Sequence, residues 1–445
     1  MHRLPLTDEL KYEFREPLHH STLLRLSKLY VNRKLKTELK IREIRFEGHE
    51  IIRDLIYQGH GLLLAPNHSD HADSALIFEL GRSMGLPFYF MATHAIFRGM
   101  NRHVLPRIGC FPVDREGTDK RALRKSMEIL AERSSPLVIF PEGEIYRLND
   151  KITPLREGVS TIAGMAARKA VDRRNIMILP VGIKYRFPDD IDPIPWMNRT
   201  MGELELRFSW REGREMRLED RIYRYAAGML SLKEIEYFGG VCTGSIRERV
   251  SGMRDHVLGQ IETKLGISKS DGKESSIPER VKECRRRILE SIETANQPPD
   301  HLLKMKALLD DLFLIVQLYS YPGDYVQSRP TMERAAEILI KFKQDALGKD
   351  LDRARHEVPR NATVYVGEPI NVKQFLADSA KQSSSNTIVT GSENPNRTKS
   401  SRKAHGALTD YLEERMQELL DRGSPGRPLP GCEHLIHSKD QSSKD

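Results

Sequence analysis

Residues 62–73 read Leu62-Leu63-Leu64-Ala65-Pro66-Asn67-His68-Ser69-Asp70-His71-Ala72-Asp73. An unbroken apolar run of this kind is typical of a strand that is buried on both faces of a parallel sheet. The Pro-Asn pair ends the strand, and Ser69 or Asp70 can cap a helix that includes residues 74–78. The pattern therefore places His68 on a strand-to-helix turn.

The spacing of His68 and Asp73 suits proton transfer. A histidine that abstracts a proton needs a carboxylate to hold its tautomer and to stabilise the imidazolium that forms. The residues also fit two other interpretations: polar surface, or a metal site that uses His68, Asp70, His71 and Asp73. No His or Glu set at a matching spacing elsewhere in the sequence completes a metal site, so we expect none.

Composition narrows the class of protein. The chain has 445 residues, a length that predicts two or three domains. Lys and Arg number 71 against 63 Asp and Glu, which gives a net charge of +8. This excess is compatible with anionic membranes, nucleic acids or acidic ligands. Because the basic residues are dispersed and form no basic-aromatic platform, we expect no nucleic-acid partner.

Two further features bear on localisation. The longest apolar run, residues 312–316, is far shorter than the roughly 20 residues of a membrane-spanning helix, and the N-terminal sequence has no hydrophobic signal-peptide core. The cysteines at positions 110, 242, 284 and 432 are far apart, which is typical of reduced thiols rather than disulfides or zinc ligands. We therefore expect a cytoplasmic protein, either soluble or peripheral.

Hydrophobic patterning predicts the domain organisation. Strand and helix patterns alternate over residues 41–196, which predicts an α/β domain with a mostly parallel sheet flanked by helices. Residues 197–360 show apolar side chains at helical spacing and predict a large all-helical insertion with an ordinary core. A strand and a helix in 361–378 rejoin the sheet. The polar stretch 379–402 is predicted to be a disordered linker, before a C-terminal helix and tail in 403–445.

Residues 1–40 form a basic N-terminal segment with one amphipathic helix. Its apolar residues Leu24, Val31, Leu35 and Leu39 fall on one face, and Lys and Arg side chains fall mostly elsewhere. A cationic amphipathic helix can lie in a membrane interface. The alternative is a helix whose apolar face packs on the domain and whose basic face is solvated.

Four motifs lie at strand ends of the predicted α/β domain. They are Asn67-His68 with Asp73, Gly109-Cys110-Phe111-Pro112-Val113-Asp114-Arg115, Phe140-Pro141-Glu142-Gly143, and Ile178-Leu179-Pro180-Val181. In order and spacing they resemble the four blocks of the glycerolipid acyltransferase family, which includes the 1-acylglycerol-3-phosphate (lysophosphatidic acid) acyltransferases. The resemblance covers about residues 40–190 and the strand that ends at residues 367–370.

The resemblance implies transfer of a fatty acyl group from a thioester to a lipid hydroxyl, with no cofactor beyond the acyl-CoA or acyl-carrier protein co-substrate. His68 matches the general base, and Asp73 matches the aspartate that orients it. Arg115 matches an arginine that binds the acceptor phosphate, although without the other blocks a surface arginine paired with Asp114 or Glu116 would be the favoured interpretation. The other substrate-binding positions that the resemblance implies are Gly109, Glu142, Gly143, Arg156 and Pro180.

The chain departs from the family pattern in the first and third blocks and at one position after them. The family's serine two residues after the histidine is Asp70 here, and its arginine two residues after the third-block glycine is absent. Arg147 lies two positions later and either replaces that arginine or is unrelated to it. Arg156 stands where the family has a lysine.

The sequence therefore predicts an acyltransferase of phospholipid biosynthesis. It would convert 1-acylglycerol-3-phosphate to phosphatidic acid while bound peripherally to the anionic inner face of the cytoplasmic membrane. The third-block departure keeps a second acceptor open, another lysophospholipid or hydroxylated lipid. A catalytically silent membrane scaffold on the same fold is the non-enzymatic alternative, and the intact His68–Asp73 pair argues against it.

Overall fold

The computed structural model describes residues 12–114, 119–132, 134–171, 174–267, 276–293, 298–347, 356–385, 396–423 and 425–437. The elements, in chain order, are α1 (Ser21–Thr37), β1 (Ile41–Glu47), α2 (Glu50–Tyr57), β2 (Gly61–Pro66), α3 (Asp73–Ser83), β3 (Tyr89–Thr93), a 3₁₀ turn (His94–Ile96), α4 (Asn101–Arg107), β4 (Cys110–Val113), α5 (Lys120–Glu132), β5 (Leu137–Val138), α6 (Gly158–Lys169), β6 (Ile176–Arg186), α7 (Ile194–Arg207), α8 (Leu218–Phe238), α9 (Ile246–Lys264), α10 (Ile277–Glu293), α11 (Pro299–Tyr319), α12 (Tyr325–Ser328), α13 (Met332–Leu347), β7 (Arg360–Val366), β8 (Ile370–Asn371), α14 (Val372–Ser385), α15 (Asn396–Arg422) and α16 (Glu433–His437).

The contacts divide the chain into two compact units. The sheet unit comprises Tyr12–Ile191 and Val358–Pro425. The helical unit comprises Asp192–Glu357 and the described residues from Gly426 onwards. The patterning above put these divisions near residues 196 and 361 and kept 403–445 as one segment, whereas the structure divides that last segment at Gly426.

The sheet of the first unit has eight strands in the order β1-β7-β6-β2-β5-β3-β4, with β8 beside β6. From β6 to β4 all neighbours run parallel, whereas β7 and β8 run antiparallel to β6. This confirms the predicted α/β class. Because β2, β5 and β6 are parallel neighbours, their carboxyl ends meet at one edge of the sheet, and the start of β7 meets the same edge.

The apolar run in β2 is buried on both faces, as predicted. Leu62 and Leu64 belong to one core cluster, which α1, α2 and α3 cover. Leu63 and Ala65 belong to the other, which is covered by α5, α6 and α15. Alternate residues of a strand point to opposite faces, so a sheet with helices on both sides requires apolar residues at every position.

The turn after β2 differs from the prediction that Ser69 or Asp70 caps the next helix. The N-cap residue of α3 is Ala72, and its side chain makes no capping bond. Asp70 Oδ1 instead accepts a hydrogen bond from the Ala72 N–H, at 2.9 Å. Asp73 Oδ2 accepts one from the Asp70 N–H, at 2.8 Å. The two carboxylates thus shape the turn itself, and the helix begins after it.

The apolar face predicted on the N-terminal helix packs on the sheet unit. Leu35 and Leu39 are 2% and 8% exposed, and Val31 packs against the same core cluster. The helix contacts α3 and β1. This face is therefore the packing face of α1, which removes it as a membrane contact. The large apolar side chains that α1 exposes are Leu26, Leu29 and Tyr30.

The predicted linker over 379–402 is partly helical. The helix α14 extends to Ser385 and α15 begins at Asn396. Residues 386–395 lie outside the described part of the chain.

The helical unit has its own core. Met253, Val257 and Ile261 of α9 pack with Leu312 and Ile315 of α11, and all are fully buried or nearly so. Apolar residues at this helical spacing were the basis for predicting an ordinary core in the insertion. Among the described helices, none is long and apolar enough to cross a membrane.

Candidate active site

The turn that carries His68 is held to the neighbouring strand by Asn67. The Asn67 amide receives a hydrogen bond from the Ile183 N–H, at 2.6 Å, and donates one to the Ile183 carbonyl, at 3.2 Å. Its side chain is buried, so these bonds are protected from competition with water. The carboxyl end of β2 is therefore clamped to β6 immediately before the histidine.

His68 and Asp73 form the pair that the sequence predicts. The Nδ1 atom of His68 lies 3.0 Å from Asp73 Oδ2. Because an ionised carboxylate only accepts hydrogen bonds, Nδ1 carries the proton and Nε2 keeps its lone pair. The His68 ring stacks on Phe140, with 4.2 Å between ring centroids, and its side chain is 19% exposed. The site thus presents an oriented imidazole with one basic nitrogen.

Asp73 is fully buried and receives two more hydrogen bonds. The Tyr185 hydroxyl donates to Oδ1, and the Asp70 N–H donates to Oδ2. Burial raises the pKa of Asp73, and the hydrogen bond from His68 acts in the opposite direction. Burial also raises the pKa of Tyr185, which keeps its hydroxyl protonated and able to donate. Tyr185 therefore fixes the carboxylate that fixes His68.

Glu142 stabilises the same turn through hydrogen bonds to its carboxylate. Its Oε1 accepts the His68 N–H at 2.7 Å, and its Oε2 accepts the N–H and the hydroxyl of Thr153. The residue is 4% exposed, and burial raises its pKa while these bonds oppose the rise. The resemblance implies a substrate-binding role for Glu142. In the structure, its two oxygens accept hydrogen bonds from the backbone N–H groups of His68 and Thr153.

The departures in the first and third blocks, Asp70 and Arg147, are in contact. Arg147 Nη1 lies 3.4 Å from Asp70 Oδ2, and Arg360 Nη1 lies 3.3 Å from the same oxygen. The Arg360 guanidinium also lies 4.6 Å from the centroid of the Tyr185 ring. Arg147 has a positive φ of 54°, a conformation that costs a non-glycine residue energy. Asp70 is therefore part of a buried ionic cluster with Arg147 and Arg360.

Gly143 and Arg156 are in direct contact. Gly143 has a φ of +76°, and a Cβ atom there would lie 2.5 Å from Arg156 Nε. The Arg156 N–H donates to the Pro141 carbonyl at 3.0 Å. The Nε atom is buried and has no hydrogen-bond partner among the described residues. Gly143 thus leaves room for the Arg156 side chain, whose Nε–H group makes no hydrogen bond within the described residues.

Gly109 and Pro180, the other predicted residues that the structure describes, are not part of this hydrogen-bonded group. Gly109 has a φ of +93°, and a Cβ atom there would lie 2.6 Å from His19 Nε2. Pro180 lies within β6, where its carbonyl accepts the Gly367 N–H at 2.9 Å. Arg115 falls in 115–118, outside the described residues. The structure therefore groups His68, Asp73 and Glu142, with Gly143 beside Arg156, and shows packing contacts for Gly109 and Pro180.

Sequence reasoning missed Tyr185 and Arg360 and set Arg147 aside. A signal existed for Tyr185, since it follows the apolar run of β6 at the edge where β2 also ends. Arg360 had a weaker signal, because its position depends on β7 running antiparallel to β6. Within the described residues, no three His, Cys, Asp or Glu side chains are grouped so that they could hold a metal ion.

The comparisons agree with this geometry. Residues 43–184 match the family model described as Acyltransferase. This segment contains β1 to β5 and most of β6, and with them His68, Asp73 and Glu142. A search among curated proteins found no match for the chain. The sheet unit thus contains an acyltransferase domain, which implies an enzyme with an acyl donor and a lipid acceptor.

Proposed function

We propose that this acyltransferase domain moves a fatty acyl group from acyl-CoA or acyl-carrier protein to the hydroxyl of 1-acylglycerol-3-phosphate, which yields phosphatidic acid. The observation that carries the proposal is the hydrogen bond from His68 Nδ1 to Asp73, which leaves Nε2 free to accept a proton. A scaffold would need neither residue in this arrangement. The same geometry would serve another lysophospholipid or hydroxylated lipid.

The reaction needs one proton transfer at His68 Nε2. The imidazole takes the proton of the acceptor hydroxyl as that oxygen attacks the thioester carbonyl. The new C–O bond forms, and the C–S bond breaks as the tetrahedral intermediate collapses. The imidazolium then returns the proton to the departing thiolate. Asp73 stabilises the imidazolium in between, and Tyr185 keeps the carboxylate in place.

Direct transfer is favoured over a covalent acyl-enzyme. Cys110 is the cysteine of the second motif, and burial raises the pKa of its thiol to about 12. A thiol with such a pKa is overwhelmingly protonated near neutral pH and is a poor nucleophile. We therefore assign Cys110 a packing role against the first core cluster, where it is found.

Two arginines are proposed to bind the acceptor phosphate. Arg115 is assigned by its place in the second motif. Arg156 is assigned by its buried Nε, which has no hydrogen-bond partner among the described residues and lies against Gly143. A guanidinium suits a phosphate because it donates paired, charge-assisted hydrogen bonds.

We also propose peripheral attachment to an anionic membrane through α1. The contact surface is the exposed side of the helix, with Leu26, Leu29 and Tyr30, rather than the buried face predicted above. Arg25 and Arg33 are exposed on the same helix. Apolar side chains flanked by cations are typical of helices that lie in the interface of anionic membranes.

The test of acceptor identity is a panel assay with purified protein. Oleoyl-CoA would be offered with 1-oleoylglycerol-3-phosphate, lysophosphatidylcholine, lysophosphatidylglycerol and monooleoylglycerol, and products would be identified by mass. We expect phosphatidic acid to be the main product. In Arg115→Ala, KM for the phosphate monoester should rise more than kcat falls, with kcat/KM down about 10- to 150-fold. An unchanged KM in the folded variant would favour a neutral acceptor.

A further inference from the structure

The helical unit contains a cavity of about 670 Å³, far larger than a packing defect. Its walls come from α8, α11 and α13, from the end of α7 and the start of α9, and from the segment between α11 and α13. Representative lining residues are Ile222, Tyr225, Leu318, Val326, Ile338 and Phe342. All the lining residues belong to the helical unit, so this cavity is distinct from the site around His68.

The size and lining of the cavity suit a small apolar ligand. Binding sites for small molecules typically have volumes of about 300–1,000 Å³ and are lined mainly by apolar and aromatic side chains. An apolar cavity that is open to water is hydrated at a free-energy cost, which an apolar ligand removes. The cavity therefore favours a ligand with an extended hydrocarbon portion.

The charges in the lining favour an anionic head group. Arg207 and Lys233 line the cavity, and Lys233 already forms an ion pair with Glu236 at 2.7 Å, so Arg207 is the cation assigned to the head group. Among the described lining residues the only carboxylate is Asp345, which already accepts hydrogen bonds from Gln317, at 2.8 Å, and from Tyr321, at 2.5 Å.

The position of Arg207 is consistent with head-group binding at the mouth. Its side chain is exposed, at the C-terminal end of α7. Arg207 and Tyr225 both line the cavity. Arg207 thus borders both solvent and the apolar interior.

We propose that the cavity binds a single-chain anionic amphiphile, with its acyl chain among α8, α11 and α13 and its head group at Arg207. The choice of an acyl chain rests on the proposed function, because acyl transfer consumes fatty acyl thioesters and lysolipids, which must therefore be present around the enzyme. The site would be a second lipid-binding site in the chain, separate from the catalytic one.

Photoaffinity labelling of the full chain locates the ligand. The probe is a palmitic acid with a diazirine near the end of its chain, and labelled peptides are identified by mass spectrometry. We expect saturable labelling within 218–238, 299–319 or 332–347, with an excess of oleate removing it. Labelling confined to the sheet unit, or labelling that oleate does not reduce, would overturn the proposal.

Variants at the cavity test the same site with matched controls. Ala226 lines the cavity and Ala227 beside it does not, so Ala226→Trp should reduce labelling at least ~10-fold whereas Ala227→Trp should not. Arg207→Glu changes an exposed residue and keeps the test valid if the tryptophan variants fail to fold. It should weaken labelling several-fold, whereas the control Arg211→Glu should not. Wild-type labelling in folded Ala226→Trp or in Arg207→Glu would contradict the proposal.

Competition separates the sources of the ligand. Oleate, oleoyl-CoA and 1-oleoylglycerol-3-phosphate share the proposed chemistry, and the strongest competitor identifies the class. Oleyl alcohol should compete at least several-fold more weakly, and equal competition would overturn the anionic head group. His68→Ala should abolish acyl transfer while labelling of the helical unit persists. If wild-type protein is labelled there but transfers no acyl group, the proposed function fails and the second site stands.

Discussion

At the scale of single residues, the proposed mechanism depends on His68 and Asp73. We expect His68→Ala to abolish acyl transfer, because no other group then accepts the proton at that position. Asp73→Asn should lower kcat by on the order of 10² or more, because an amide no longer sets the tautomer or stabilises the imidazolium. Steady-state kinetics with acyl-CoA would measure both effects, and circular dichroism would verify folding. Near wild-type turnover in His68→Ala would refute the mechanism.

Asp70 and Arg147 are expected to depend on each other. Asp70→Asn removes the carboxylate that lies between two buried guanidiniums, which should lower the free energy of unfolding by about 3–5 kcal/mol. In the double variant Asp70→Asn/Arg147→Met, the loss should be smaller than the sum of the single losses by about 0.5–3 kcal/mol. Urea unfolding of the four proteins measures this coupling. Strict additivity would mean that these two departures from the family pattern are independent.

At the scale of elements, an ion pair joins α8 to α9 in the helical unit. Arg249 donates to both oxygens of Glu234, at 2.8 and 2.7 Å, and Glu234 is fully buried. Arg249→Ala leaves that carboxylate without its cation and should cost about 3–5 kcal/mol of stability. Replacing both residues, as Glu234→Leu/Arg249→Met, should cost less. The exposed control Lys264→Ala should leave the thermal midpoint nearly unchanged.

The same pair predicts a pH dependence. The hydrogen bonds from Arg249 lower the pKa of Glu234 below its ordinary value. A lowered folded-state pKa means that the stabilisation is present above the unfolded-state pKa, about 4.3, and is lost as pH falls through the folded-state pKa. The difference in thermal midpoint between wild type and Glu234→Gln should therefore shrink below about pH 4. A difference that stays constant down to pH 3 would contradict this assignment.

At the scale of the whole molecule, the proposed acceptor resides in a membrane and the protein must reach it. Arg25→Glu/Arg33→Glu should weaken sedimentation with anionic liposomes, since each basic residue near such a surface contributes about 1 kcal/mol. Leu26→Ser/Leu29→Ser should weaken it further, and salt should weaken wild-type binding. Lys28→Glu on the same helix serves as the charge control, because Lys28 is exposed and lies seven residues before the buried Leu35, on the face that points away from Leu26 and Leu29. Full sedimentation of both double variants at all salt concentrations would exclude α1 as the contact.

Much of this molecule follows from local patterns. The apolar run of β2 and the apolar stripes of α9 depend on periodicity over a few residues, and both lie where the sequence predicts them. His68 and Asp73 are five residues apart, so a single turn brings them together. Such features are determined by short-range geometry, which a sequence contains.

The tertiary structure alone decided which distant residues complete the site. Tyr185 reaches Asp73 across 112 residues, and Arg360 reaches Asp70 across 290. Both contacts depend on strand order and register: β6 lies parallel beside β2, and β7 returns antiparallel beside β6. The buried side of α1 was likewise decided by packing, because amphipathicity shows that one face is apolar but not whether protein or membrane covers it. Which strands become neighbours in a sheet depends on the fold of the whole chain, so no local sequence pattern could predict these contacts.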